Sequence, residues 1–212
     1  MTVAFPLVDD PKTCLLAWTT TPWTLPSNLG LCVHPDFNYI KIYDEERGLN
    51  FILLETRLVA LYKDPKKAKF KKVGQFRGED MRGWRYSPMF EYFTEKVPNQ
   101  FYSRLSPELN LLQYEDRAFR VVVDTYVTDK DGTGIVHQAP AFGEDDHRIA
   151  LAYEVINADE MPPCPVDDAG RFTSEVPDFA GQYVKVKVSR DHLDTCGLTL
   201  VTYLSRTQTR KL

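Results

Sequence analysis

The chain has 212 residues, 43% of them hydrophobic, enough for one sizeable core, so a single globular unit over residues 1–212 is expected. A formal net charge of −4 argues against a general nucleic-acid binder, because non-specific affinity for a phosphate backbone comes from excess Lys and Arg. The start, MTVAFPLVDDPKT, lacks the basic head and apolar stretch of a signal peptide, and no run approaches the ~18 apolar residues of a membrane span.

Short apolar or β-branched runs bounded by Pro, Gly, Asn and Asp read as strands. The first is TCLLAWT at 13–19. It runs through Thr20 and Thr21 into Pro22, which holds Thr21 extended and ends regular pairing. Strand alternation then puts Thr19 and Thr21 on one face, and Thr20 with Trp18 on the other. Thr is also a good strand former, so this stretch alone suits a purely structural strand end. NYIKIY at 38–43 is the next strand, and TRLVALY at 56–62 a short helix. KDPKKAKFKK at 63–72 holds six lysines in ten residues. That run suits a solvated loop or an edge strand, with a local nucleic-acid contact as the rival reading.

In the second half, FRVVVDTYVT at 119–128 and GIVHQA at 134–139 read as strands, the latter preceded by a turn at 131–134. GEDDHRIALAYEVINAD at 143–159 is the best helix, with Ile149, Ala152, Tyr153 and Ile156 on one face. MPPCPVDDAG at 161–170 is a surface loop. QYVKVKV at 182–188, a short helix at 189–197 and LTLVTYL at 198–204 complete the series. Strands that outnumber helices without regular βαβ alternation point to an α+β fold, a mainly antiparallel sheet curled into a barrel with peripheral helices.

Chemistry is less explicit. Cys14, Cys32, Cys164 and Cys196 are scattered and form no C-x-x-C pair, so they read as reduced thiols of an intracellular protein rather than a zinc site or disulfide framework. The GTG at 132–134 lacks the third glycine of a phosphate loop and precedes a strand. His137 shares a strand face with Ile135, as a hydrogen-bonded core histidine would. Glu144, Asp145 and Asp146 open the helix, where the macrodipole favours negative charge for structural reasons alone. Neither G-x-S-x-G nor H-E-x-x-H occurs. An enzyme built from these residues would need a substrate reactive enough to require little beyond positioning.

Two stretches taken together carry a resemblance. W-T-T-T-P-W-T-L-P-S-N at 18–28, followed about a hundred residues later by G-T-G-I-V-H-Q-A-P-A-F-G-E-D-D at 132–146, resembles the editing (CP1) insertion of isoleucyl-tRNA synthetases, in a eukaryotic cytoplasmic form. The valyl and leucyl sister enzymes carry a T-T-R-P variant. The His-Ile-Gly-His and Lys-Met-Ser-Lys-Ser signatures are absent, so the resemblance implies an excised editing domain. The parent enzyme would ligate isoleucine to its tRNA using ATP.

The activity this implies is hydrolysis of the ester of mischarged valyl-tRNA(Ile), with no metal and no organic cofactor. A binding pocket for isoleucine rejects valine weakly, because one methylene is worth only ~1–3 kcal/mol, a limit for which this enzyme family is itself the standard case. By resemblance, Asp146 grips the α-ammonium group; the residues alone do not choose between it and Asp145. Thr19, Thr20 and Thr21 would hold the ester, the water and the terminal adenosine. His137 would lie against the amino-acid side chain, with Asn28, Trp23 and Thr24 completing the binding set. The implied partners are the 3′-terminal adenosine of the tRNA and the rest of the synthetase in cis, with no membrane. The rival is a non-catalytic module docking the acceptor end, which would show a basic groove without a small pocket.

Overall fold

A computed structural model describes residues 1–62, 64–65, 67–94 and 114–184. Within them lie strands β1 (Thr2–Pro6), β2 (Thr13–Trp18), β3 (Gly30–Val33), β4 (Asn38–Asp44), β5 (Leu49–Leu54), β6 (Phe70–Arg77), β7 (Arg120–Val123) and β8 (Ile135–Gln138). Two α-helices accompany them, α1 (Tyr114–Arg117) and α2 (Glu144–Ala152). One sheet has the order β1-β2-β5-β4-β6 and the other β7-β3-β8.

The alternation in β2 sorts side chains between two apolar environments rather than between core and water. Leu15 and Ala17 join the main core with Phe5, Ile52 and Leu54, whereas Cys14 and Leu16 join a second cluster with Ile40, Ile42, Phe51 and Leu53. A strand covered on both faces reads as a continuous apolar run. Leu58, Leu61 and Tyr62 cover the second cluster. The helix expected at 56–62 is a 3-10 turn over Glu55–Ala60, broken by non-helical dihedrals at Arg57.

Antiparallel pairs predominate, but β2 runs parallel to β5, and β3 parallel to β7. The expected barrel is not found: the described residues form two open sheets with few helices. The division falls after β2. A 3-10 turn over Pro22–Ser27 contains Pro22 and Pro26, which have no N–H to donate to a ladder, and carries the chain out of the first sheet. β3 then pairs in the second sheet with β7 and β8.

Other elements are shorter than their patterns suggest. The strand expected at 119–128 ends at Val123, because the Asp124 carboxylate accepts the Tyr126 N–H at 2.9 Å and turns the backbone. α2 stops at Ala152 rather than running to 159. Tyr153 hydrogen-bonds both the N–H and C=O of Val123, and Glu154 adopts φ 53°. The buried positions are consequently Ile149, Ala150, Val155 and Ile156, while Ala152, expected on the apolar face, is exposed. The end of the lysine-rich segment, Phe70 to Lys72, opens the edge strand β6, with Lys71 and Lys72 paired to Glu45 and Glu55. Lys63 and Lys66 lie outside the described residues, as do 185–212, which hold most of the strand expected at 182–188 and all of the two elements after it.

Candidate active site

The three threonines occupy the point where β2 gives way to the 3-10 turn. The Thr19 N–H still pairs with Met1 O at 2.9 Å, extending the ladder by one residue. Its buried hydroxyl then accepts the Thr21 N–H at 3.0 Å, so the chain curls into a hydroxyl-closed turn instead of continuing the pleat. Strand alternation therefore does not carry through: Thr20 and Thr21 are both exposed, and the Thr19 and Thr21 hydroxyls lie 3.5 Å apart. All three threonines line one cavity of about 530 Å³.

The opposite wall comes from β8, the loop after it and the first turn of α2. Asp146 is half-buried and folds back over that loop, its Oδ2 accepting the Ala139 N–H at 2.9 Å. Among the described residues its second oxygen has no hydrogen-bond donor. Burial raises the Asp146 carboxyl pKa above its ordinary value, with the Ala139 N–H opposing the shift and the neighbouring Asp145 reinforcing it. A Cβ at Gly143 would come within 2.9 Å of the carboxylate, so the small residue lets Asp146 fold back. Asp145, which the sequence leaves as an alternative, is exposed and paired to Arg148 at 3.0 Å.

The remaining expected residues fall in and behind this cavity. His137 is 7% exposed, lines it, and is hydrogen-bonded at both ring nitrogens, to Thr24 Oγ1 at 2.8 Å and Asn28 Nδ2 at 3.3 Å. Burial pushes its pKa down to about 4. Thr24 is buried and donates its hydroxyl to Thr21 O at 2.9 Å. Trp23 lines the cavity with its ring edge-on to Phe142, 5.0 Å between centroids. Asn28 is not part of the lining; it is buried behind His137.

Residues given no site role from the sequence complete the walls. Trp18, Tyr126 and Val127 contribute, as does the turn from Asp131 to Gly134. In that turn a Cβ on Gly134, which has φ 75°, would fall 2.4 Å from Leu54 Cβ. This close approach, rather than phosphate binding, accounts for the second glycine of GTG. Asp131, Glu144, Asp145 and Asp146 are all in the lining, and among the described residues no Lys or Arg is.

Comparison with known proteins gives the lineage. The chain is 50% identical over 185 residues, 87% of its length, to the cytoplasmic isoleucine–tRNA ligase of Saccharomyces cerevisiae, and 49% identical over 183 residues to that of Mus musculus. The chain belongs to the isoleucyl-tRNA ligase family. It spans 16% of the yeast ligase and 13% of the mouse ligase, and so corresponds to one segment of these enzymes. No family model matches it. Its fold is that of the crystal structure of GlLeuRS-CP1, a leucyl-enzyme CP1 segment, at TM-score 0.61 and 17% identity, covering 98% of this chain and 95% of that one. In this ligase segment the cavity therefore sits in a CP1-type fold, with hydroxyls on one wall and a half-buried carboxylate on the other.

Proposed function

We propose that this ligase segment is a proofreading deacylase that hydrolyses the ester of valyl-tRNA(Ile), acting in cis with the rest of a cytoplasmic synthetase. The observation that carries the reading is the convergence of Thr19, Thr20 and Thr21 with Asp146 on one cavity. An aminoacyl ester is activated already, so the site needs only to hold it, place a water and stabilise the tetrahedral oxyanion.

Asp146 supplies an acceptor for the α-ammonium group, a charge-assisted contact strengthened by partial burial. The threonine hydroxyls supply short donors and acceptors for the ester, the water and the terminal ribose. His137, neutral at physiological pH and committed at both nitrogens, acts as a wall against the amino-acid side chain and not as a base. A cavity lined by four carboxylates and, among the described residues, no cation does not suit a module that grips phosphates, which counts against the docking alternative.

The test is deacylation of valyl-tRNA(Ile) and isoleucyl-tRNA(Ile) by the synthetase carrying this segment. Wild type should clear the valyl ester selectively, and Asp146→Ala should lower that rate by about 100-fold or more with its circular-dichroism spectrum and melting temperature retained. Wild-type clearance by Asp146→Ala would remove the role given to this carboxylate.

A further inference from the structure

We propose that Tyr86 is a positioning residue for this cavity: its hydroxyl holds the Asn28 amide, which sets the proton of His137 on Nε2, and that proton holds Thr24 and the threonine turn in place. Tyr86 lies in the main core, 1% exposed, with its ring edge-on to Phe5 at 5.3 Å and to Phe119 at 6.4 Å. It does not line the cavity.

Hydrogen-bond accounting fixes the direction of every link. Gly30 O can only accept, and it lies 2.9 Å from Asn28 Nδ2, so the amide turns its NH₂ group toward Gly30 and His137. Asn28 Oδ1 then faces the Tyr86 hydroxyl at 2.6 Å and accepts from it. The second Nδ2 hydrogen points at His137 Nδ1, 3.3 Å away, which must be the unprotonated nitrogen. A neutral imidazole carries one proton, so Nε2 bears it and donates to Thr24 Oγ1 at 2.8 Å. The Thr24 hydroxyl has one hydrogen, spent on Thr21 O at 2.9 Å, and so accepts from His137. The Thr24 N–H also donates to Thr21 O, at 3.0 Å.

One unbroken series of donors thus runs from the core to the backbone carbonyl of the last threonine. Asn28, His137 and Thr24 are buried too, so water does not readily replace a missing link. Gly30 O sets the amide orientation and Tyr86 reinforces it: a flipped amide would set Oδ1 against Gly30 O and turn the tyrosine hydroxyl from donor to acceptor, leaving its own buried hydrogen without Oδ1 to receive it. The catalytic consequence rests on the deacylase reading above, whereas the protonation form of His137 does not.

Nitrogen-15 NMR of the imidazole groups in the 212-residue chain reads that form directly. Wild type should show His137 as one neutral tautomer, with pyridine-type Nδ1 and pyrrole-type Nε2. Tyr86→Phe keeps the ring contacts and removes only the donor to Asn28 Oδ1, leaving Gly30 O as the remaining hold on the amide; it should populate the Nδ1–H form to a tenth or more, by tautomer exchange as the amide loosens. Deacylation by the synthetase carrying Tyr86→Phe should lose about tenfold in kcat with KM within about twofold, as expected for a misplaced turn rather than lost binding. Asn28→Asp is a second variant, whose carboxylate cannot donate to Nδ1; it should move the proton to that nitrogen.

A wild-type proton on Nδ1, or two variants that both keep Nε2–H alone, would overturn the proposal. So would a tautomer shift in Tyr86→Phe with kcat unchanged. If the tautomers shift as stated while wild type fails to deacylate any aminoacyl-tRNA, the link from Tyr86 to His137 stands and the deacylase reading falls.

Discussion

Two runs of a single residue type stand out in this chain, three threonines at 19–21 and six lysines within 63–72, and the fold treats the threonines and the last two lysines, Lys71 and Lys72, in opposite ways. The threonines sit where a covered strand curls under Pro22, so that the Thr19 hydroxyl accepts the Thr21 N–H and all three residues line a cavity. The lysines of β6 lie on the outer edge of the five-stranded sheet, where Lys71 and Lys72 meet Glu45 and Glu55 in water. A repeated side chain becomes chemistry only where other elements converge on it. On an open edge it serves to discourage pairing with another chain.

Substitutions can break that contrast, and the largest effect should come from the wall that faces the threonines. Asp146→Asn should cost valyl-tRNA deacylation about 100-fold, since the neutral amide forfeits the charge-assisted contact, while Asp145→Asn should cost less than about threefold because Asp145 is exposed and held by Arg148. Because burial raises the Asp146 pKa, the deacylation rate should begin to fall, as pH is lowered, above the ordinary carboxylate range. A rate profile against pH for wild type and Asp146→Asn separates this group from others.

The next effect is on stability. His137 has an ordinary pKa of 6.5, and burial lowers it to about 4 in the folded chain. Between these values the unfolded chain binds a proton that the folded chain does not, so stability falls as pH drops from 6.5 toward 4 and is flat in this respect above and below. The full drop is on the order of 3 kcal/mol. Urea unfolding of wild type at a series of pH values should show this slope, and His137→Gln should lack it. Asp146, with its raised pKa, acts in the opposite sense, so the difference between the two chains is the informative quantity.

Thr24→Val removes the acceptor for His137 Nε2 and should cost about 1–3 kcal/mol of stability, the usual penalty for an orphaned buried donor. Chemical denaturation measures it. The smallest effect belongs to the other run: Lys71→Ala or Lys72→Ala should shift the melting temperature by no more than ~2 °C, and by less at high salt, because exposed pairs are screened. A larger shift would show β6 to be more than a charged edge.

Some strands were legible because their signals are local, whereas β1, β3 and β5 were not read from the sequence. β2, β4 and β8 follow from β-branched or apolar runs between turn residues, and Pro22 marks the end of β2. β3 is four residues long and fully buried, too short for alternation to declare it. The end of α2 depends on Tyr153 reaching Val123, thirty residues away in sequence. Tyr86 carries no motif at all; its relation to Asn28 spans 58 residues and exists only in the folded core.

The sequence by itself determined the strand-rich character, the turn after the threonines and the two motifs whose order resembles an isoleucyl-tRNA synthetase insertion. These are properties of neighbouring residues, set by steric limits at proline and by side-chain periodicity. Tertiary structure alone decided that the sheets stay open, that Asp146 rather than Asp145 folds back beneath Ala139, and that His137 is held by Asn28 and Thr24. Each of these depends on which distant groups are brought within hydrogen-bond reach and cut off from water, and no local pattern along the chain records that.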